Sequence, residues 1–274
     1  MDKNIERSLA ALNSWFSNQH GVAVAYSGGM DSAFLALAAK RAIGKASRAF
    51  LVVSEVMSLH EIDAARAAAV RHDLDLVEVP LSVLPLEAFT AHPPDRCYHC
   101  KKHVFTSLLG IKPDGWVLAD GSNVDDRSDH RPGRRALAEL GIASPLELAG
   151  FGKRAIREIL ISWNAADLVR PPGPCLATRI PFGTRVTAEM LQQIQAGESI
   201  LREAGFSDCR LRHLGASARI EVPPGEVARA ESLLPDLVAK FKALGFTAIT
   251  VDPAGYRKGA MNAPAGHPRQ PCPI

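Results

Sequence analysis

The chain has 274 residues and a formal net charge of +3, from 32 Lys+Arg against 29 Asp+Glu, with 47% hydrophobic and 22% charged residues. Such a length allows one large domain, or a large one plus a small one, and the composition suits a chain that buries its own core. The weak charge excludes a nucleic-acid or anionic-membrane footprint built on net charge, and five Cys, odd and sparse, exclude a disulfide-rich secreted scaffold. The N-terminal MDKNIERSLAALNSWF has no apolar signal core, and no stretch reaches the about 20 apolar residues of a membrane span. These features predict a cytoplasmic protein with no membrane partner, and turn attention to which Cys does chemistry.

In chain order, residues 4–18 read as an amphipathic helix and 21–26 (GVAVAY) as a buried parallel strand. SGGMDS follows, then an Ala/Leu-rich helix over 32–41. Strands are predicted at 48–53, 74–79 and 116–119, and helices at 59–72, 101–109 and 153–163. Strands alternating with helices predict an α/β fold, a parallel sheet with helices on both faces, over 1–169. Residues 170–186, opening RPPGPCLATRIPFGT, are too rich in Pro and Gly for an element interior and read as a linker carrying Cys175. A helix at 187–204, strands at 207–213 and 216–222 turning at Gly215, a helix at 224–244 and a strand at 246–251 make a small C-terminal α+β domain over 187–256. The Pro/Gly-rich tail, 257–274, is expected to be flexible.

Ser27-Gly28-Gly29-Met30-Asp31-Ser32 stands between a buried strand and a helix. Glycines let the backbone approach a ligand, and the helix start offers N–H groups and a positive dipole end to phosphate. Ser27 and Ser32 add hydroxyl donors, and Asp31 can help hold Mg²⁺. A plain Gly turn capped by Asp31 is the bland alternative. No Walker A lysine pattern is present, which argues against ordinary P-loop chemistry. The hexapeptide in this setting resembles the PP-loop of ATP pyrophosphatases, also described as adenine nucleotide alpha hydrolase-like. That resemblance implies ATP cleavage between the α and β phosphates and adenylation of a carboxylate or carbonyl oxygen. It also implies that Gly121, Ser122 and Asn123, in the ADGSNVDD segment at a strand's C-terminal end, lie near the nucleotide.

Cys97-Tyr98-His99-Cys100 is a CxxC read as lying just before a helix, and Cys175 follows 75 residues later. CxxC brings two sulfurs to one side of a turn, and a third Cys could close on them. The residues leave three readings open: a [4Fe-4S] cluster with three thiolates and an open iron; Cys₃His zinc with His99 or His103; or unconnected thiols. A redox CxxC is disfavoured because no thioredoxin-like strand precedes it. Cys209 alternates with Leu211 and His213 and reads as core; Cys272 reads as incidental. On the same strand, period 2 puts Arg210 and Arg212 on one face, and Arg219 and Glu221 share a face of the partner strand. Pairing those faces would gather three guanidiniums into an anion site; an ordinary solvated face is the alternative.

The whole chain resembles the LarE family of ATP-dependent sulfur transferases, from about residue 4 to residue 262. The matching segments are AYSGGMDS, DRCYHCKKHVF, LADGSNVDDRSDHRPGRRALAELGIASPL, PCLATRIPFGTRVT, CRLRHLGASARIEV and DPAGYRKGAMN. The resemblance implies that ATP adenylates the carboxylates of pyridinium-3,5-biscarboxylic acid mononucleotide and that a sulfur source converts them to thiocarboxylates. The product serves biosynthesis of the nickel-pincer nucleotide cofactor of lactate racemase. It implies catalytic roles for Asp31 and Cys175, and a substrate-phosphate site at Arg210 and Arg212 with Arg179 and Glu198 close by. It also implies a homo-oligomer, since the family forms hexamers. One group in the family sacrifices a cysteine; another holds a [4Fe-4S] cluster on three cysteines and uses external sulfide or another sulfur donor. The sacrificial position aligns here with Pro174, so the resemblance implies the cluster type, on Cys97, Cys100 and Cys175. A one-residue slip would make Cys175 sacrificial instead. A PP-loop tRNA thiolase, an ammonia-using relative of NAD synthetase and a non-enzymatic zinc-stabilised nucleotide-binding protein compete for the same motifs.

Overall fold

The computed structural model describes residues 2–127, 132–170 and 173–257. The tail from residue 258, with Cys272, lies outside the described residues, as do Pro171 and Pro172 of the linker and 128–131 of the ADGSNVDD segment's extension. The elements run α1 (Lys3–Ser17), β1 (Val22–Ala25), α2 (Met30–Ile43), β2 (Ser47–Val53), α3 (Leu59–Arg71) and β3 (Leu76–Pro80). Then come α4 (Glu87–Thr90), α5 (Arg96–Ile111), β4 (Val117–Ala119), α6 (Gly133–Glu139), α7 (Pro145–Leu148) and α8 (Lys153–Ser162). The C-terminal stretch holds α9 (Ala188–Glu203), β5 (Arg210–Leu214), β6 (Ser217–Glu221), α10 (Val227–Ala243) and β7 (Ala248–Val251).

The chain divides into two compact units, residues 1–86 with 95–173, and residues 87–94 with 174 onward. In the first unit β3-β2-β1-β4 form a parallel sheet. Alternation along β1 explains its layering. Val22 and Val24 enter a core with Phe16 of α1, Phe34 and Leu35 of α2 and Ile159 of α8. Ala23 faces the other way, into a core with Phe105 and Leu108 of α5 and Leu137 of α6. Helices thus cover both faces, and VAVA is apolar throughout because neither face meets water. Gly21, at the foot of β1, admits the Trp116 indole so closely that a Cβ would sit 2.4 Å from the ring.

In the second unit β5 and β6 form an antiparallel hairpin, and β7 lies parallel to β6. Gly215 turns the hairpin with a φ of 76°. Leu201, Leu211, Ile220, Phe241 and Phe246 form the core under α9 and α10. Residues 87–94, which the sequence pattern groups with the first domain, belong to this unit. Val186 N–H donates to the Thr90 carbonyl (2.8 Å), and Gly183 N–H to the His92 carbonyl (3.0 Å). The His92 ring bonds the Pro181 carbonyl through Nδ1 at 2.8 Å.

The boundary at the CxxC also differs from the expectation. The CxxC does not precede a helix; α5 begins at Arg96, so both Cys97 and Cys100 lie inside it. Tertiary contacts supply the extra turn: Arg96 and Tyr98 are buried, the Tyr98 hydroxyl donates to Glu139 at 2.7 Å, and Arg135 covers its ring at 3.7 Å. The short helices α4, α6 and α7 have no clear periodicity and are absent from the sequence pattern.

Phe34 is fully buried, edge-on to Phe151 at 5.2 Å and beside Trp163 at 5.5 Å. Phe34→Ala is expected to cost about 3–5 kcal/mol, measured by urea denaturation of the first unit's transition.

Candidate functional site

The glycine turn after β1 is built against α3 and against the turn after β4. The Tyr26 hydroxyl donates to the Ala65 carbonyl at 3.0 Å, and burial pushes its phenol up to about 12. Gly28 sits at φ 75°, where its absent Cβ would stand 2.6 Å from the Ala65 Cβ. The turn therefore needs glycine twice, for handedness and for space. Ser32 Oγ donates to the Gly29 carbonyl (3.0 Å) and accepts from Ser27 N–H (3.1 Å), so the two serines lock the loop onto the first turn of α2. Gly29 caps α2 with no side-chain bond. That start leaves backbone donors and the positive helix end directed at the loop, the arrangement that binds phosphate.

Gly121, Ser122 and Asn123 are brought to the same place. A Cβ on Gly121 would fall 2.8 Å from the Ser32 nitrogen, so two backbones meet there. Asn123 is wholly buried; its amide donates to Asp31 Oδ2 at 3.0 Å, and its carbonyl accepts from Asp125 N–H at 3.0 Å. Asp120 receives the hydroxyls of Ser122 (2.6 Å) and Ser144 (2.7 Å). Ser27, Gly28, Gly29, Asp31 and Ser32 therefore share one locality with the Gly121–Asn123 turn, at the C-terminal edge of the sheet, where open α/β sheets take ligands. Sequence reasoning does not single out Ser144 or Tyr26 as site residues, because neither stands in a motif of its own.

Cys97 is exposed and Cys100 half-buried, one turn apart on α5; residues at i and i+3 share a helix face. Lys101 of the same turn comes 3.9 Å from Asp120. His99 lies 3.5 Å from Asp95, and His103 bonds the Ser82 carbonyl at 3.2 Å. Cys175 belongs to the second unit. Within either unit, among the described residues, no three Cys, His, Asp or Glu side chains gather to hold a metal ion.

In the second unit the hairpin register sets Arg210 opposite Glu221 and Arg212 opposite Arg219. The three arginines share one face, as period 2 predicts. Arg212 is buried, donating to Glu221 Oε2 (2.6 Å) and to the Thr178 carbonyl (2.8 Å). Arg210 bonds Asp208 (2.9 Å) and its guanidinium faces the Tyr256 ring at 5.3 Å. Among the described residues the Nε atoms of Arg210, Arg212 and Arg219, and Glu221 Oε1 on the same face, are buried without a hydrogen-bond partner. Arg179 and Glu198 lie beneath, paired to each other at 2.7 Å and both buried. Asp252, 3.5 Å from Arg219, and Tyr256 join the face from the DPAGY turn, which a strand pattern does not reveal. Cys209 faces the core, and burial pushes its thiol up to about 12.

A parallel sheet with helices on both faces, and a glycine turn at a helix start on its C-terminal edge, defines the first unit as an α/β domain. No family model matches the chain. It is 33% identical over 266 residues to an uncharacterized protein of Synechocystis, covering 94% of this chain and 98% of the relative. It is 30% identical over 256 residues to the pyridinium-3,5-bisthiocarboxylic acid mononucleotide synthase of Lactiplantibacillus plantarum, covering 92% and 93%. An uncharacterized protein of Methanocaldococcus jannaschii is 29% identical over 248 residues, covering 90% and 94%. The chain belongs to the LarE family, that of the Lactiplantibacillus synthase. Among the described residues no helix is long and apolar enough to cross a membrane.

Two outcomes are expected from this geometry. Gly28→Ala should lose about 1–3 kcal/mol of stability in urea denaturation. In the metal-free folded protein at about pH 8, iodoacetamide should modify exposed Cys97 and leave buried Cys209 unmodified by peptide mass spectrometry, because burial and a raised thiol pKa lower the reactive thiolate fraction of Cys209.

Proposed function

We propose that the chain is an ATP-dependent sulfur transferase that turns the carboxylates of pyridinium-3,5-biscarboxylic acid mononucleotide into thiocarboxylates. The observation that carries this reading is the 30% identity, over nearly the whole of both chains, to a protein named for synthesis of the bis-thiocarboxylate. The phosphate loop and the arginine face support it, because the reaction needs one site for a triphosphate and one for the phosphate of a mononucleotide.

In this reading the ATP phosphates lie on the start of α2, against the Ser27–Ser32 loop and the Gly121–Asn123 turn. A substrate carboxylate oxygen attacks the α-phosphorus, the bond to the β-phosphate oxygen breaks, and pyrophosphate leaves. The acyl-adenylate is a good electrophile where the carboxylate was a poor one. A sulfur nucleophile then adds to the acyl carbon, AMP departs with the bonding pair, and a thiocarboxylate remains. A second ATP serves the second carboxylate. Asp31, oriented by Asn123 at 3.0 Å, is the carboxylate placed to help hold Mg²⁺ on the phosphates. Arg210, the more exposed of the pair, is assigned to the substrate phosphate, with Arg212 behind it held by Glu221 and the Thr178 carbonyl.

For the sulfur we assign Cys97, Cys100 and Cys175 to a [4Fe-4S] cluster. Cys97 and Cys100 suit it, since two thiols one helical turn apart can ligate a single group. When bound, such a cluster would supply the chemistry for delivering sulfide-level sulfur to the activated carboxylate. The chain's own part is to present the three thiolates and to hold the adenylated carboxylate in place. A homo-oligomer and a cytoplasmic location complete the proposal.

Anaerobic purification is expected to give a brown protein, and Cys175→Ser a colourless one; a colourless wild type holding one zinc would overturn the cluster. Arg210→Ala is expected to raise the KM for the pyridinium mononucleotide about 10–100-fold in a pyrophosphate-release assay, since one charge-assisted contact is lost.

A further inference from the structure

Arg179 lies four residues after Cys175, at the end of the tight 3-10 turn Leu176–Arg179, and its side chain folds back over that turn. Nη1 donates to the Pro174 carbonyl at 2.8 Å, to Thr178 Oγ1 at 3.0 Å, and more weakly to the Cys175 carbonyl at 3.3 Å. Nε and Nη2 donate to the two oxygens of Glu198, at 2.7 and 3.2 Å. The guanidinium has five N–H groups in a fixed fork. All three nitrogens are engaged, and the side chain is only 3% exposed. Little of it remains for a substrate phosphate.

The same bonds converge on Cys175. Its carbonyl also accepts the Thr178 hydroxyl at 2.7 Å and the Thr178 N–H at 2.9 Å. The Thr178 carbonyl is in turn held by Arg212 from β5, at 2.8 Å. Glu198 is anchored independently by Leu211 N–H (3.2 Å) and Arg202 (3.1 Å). The turn bearing Cys175 is thus tied through Arg179 to a buried carboxylate, and through Arg212 to the arginine face.

We infer that Arg179, braced by Glu198, is a positioning residue that fixes the backbone of Cys175, and not a ligand of the substrate phosphate. The inference rests on the proposed role of Cys175 in sulfur handling, which it deepens. Holding a reacting group in one geometry acts on kcat, whereas a phosphate contact made in the ground state acts on KM. Arg179 therefore belongs with kcat and Arg210 with KM.

The test uses the full-length protein as purified anaerobically, with Arg179→Lys, Thr178→Val and Arg210→Ala. Thr178→Val removes the hydroxyl ties with almost no change of shape, and so holds the test if Arg179→Lys fails to fold. Three readouts are taken: amide hydrogen exchange of the peptide spanning Cys175, calorimetric titration with inorganic phosphate, and pyrophosphate release with the pyridinium mononucleotide. Arg179→Lys and Thr178→Val are expected to speed exchange in that peptide about tenfold, to lower kcat about tenfold, and to leave phosphate affinity and KM within about twofold. Arg210→Ala is expected to weaken phosphate binding and raise KM without changing exchange. The inference is overturned if Arg179→Lys weakens phosphate as Arg210→Ala does, or if neither turn variant changes exchange. If the wild type releases no pyrophosphate with this substrate, the proposed function fails, while exchange and phosphate binding still decide the role of Arg179.

Discussion

Glu198 is a carboxylate with no exposed surface, and the second unit is arranged around giving both its oxygens partners. Its two oxygens accept from Arg179, Arg202 and the Leu211 backbone. A buried charge stripped of such partners would cost several kcal/mol, so each partner is constrained by the others. The helix carrying it packs tightly on β5: at Gly197 a Cβ would come 2.3 Å from a Leu211 methyl. From that single group the order spreads in two directions, to the turn of Cys175 through Arg179 and to the strand carrying Arg210 and Arg212 through Leu211. Thiol and anion donors are in this way held to one rigid frame.

The first unit solves its own problem with backbone, not with charge. Gly28 against Ala65 and Gly121 against Ser32 are approaches closer than any side chain allows. They put a helix start, two serine hydroxyls and the Asp31–Asn123 pair around one small space. In the second unit the matching feature is the single hairpin face shared by Arg210, Arg212 and Arg219.

Much of this is legible in the residues. Apolar β-runs, the Gly-rich turn and period 2 along Arg210–Leu214 name the parallel sheet, the glycine turn at the start of α2 and the arginine face, because each is a local pattern with a local cause. What stays hidden depends on tertiary contact. The first turn of α5 exists because Tyr98 finds Glu139 and Arg135. Residues 87–94 join the second unit because Thr90 and His92 bond the segment after Cys175. Arg179 reads in sequence as one more basic residue near an anion site; only its bonds to Glu198 and to the Pro174 and Cys175 carbonyls separate bracing from binding.

The central claim is that this fold adenylates a pyridinium biscarboxylate and replaces oxygen by sulfur supplied from outside the chain. The most direct measurement incubates anaerobically purified protein with ATP, pyridinium-3,5-biscarboxylic acid mononucleotide and sulfide, following pyrophosphate, AMP and the thiocarboxylate by mass spectrometry. Many turnovers are predicted with sulfide, none sustained without it, and Cys175 intact afterwards. Conversion of Cys175 to dehydroalanine after a single turnover, or pyrophosphate release indifferent to the pyridinium substrate, would contradict it.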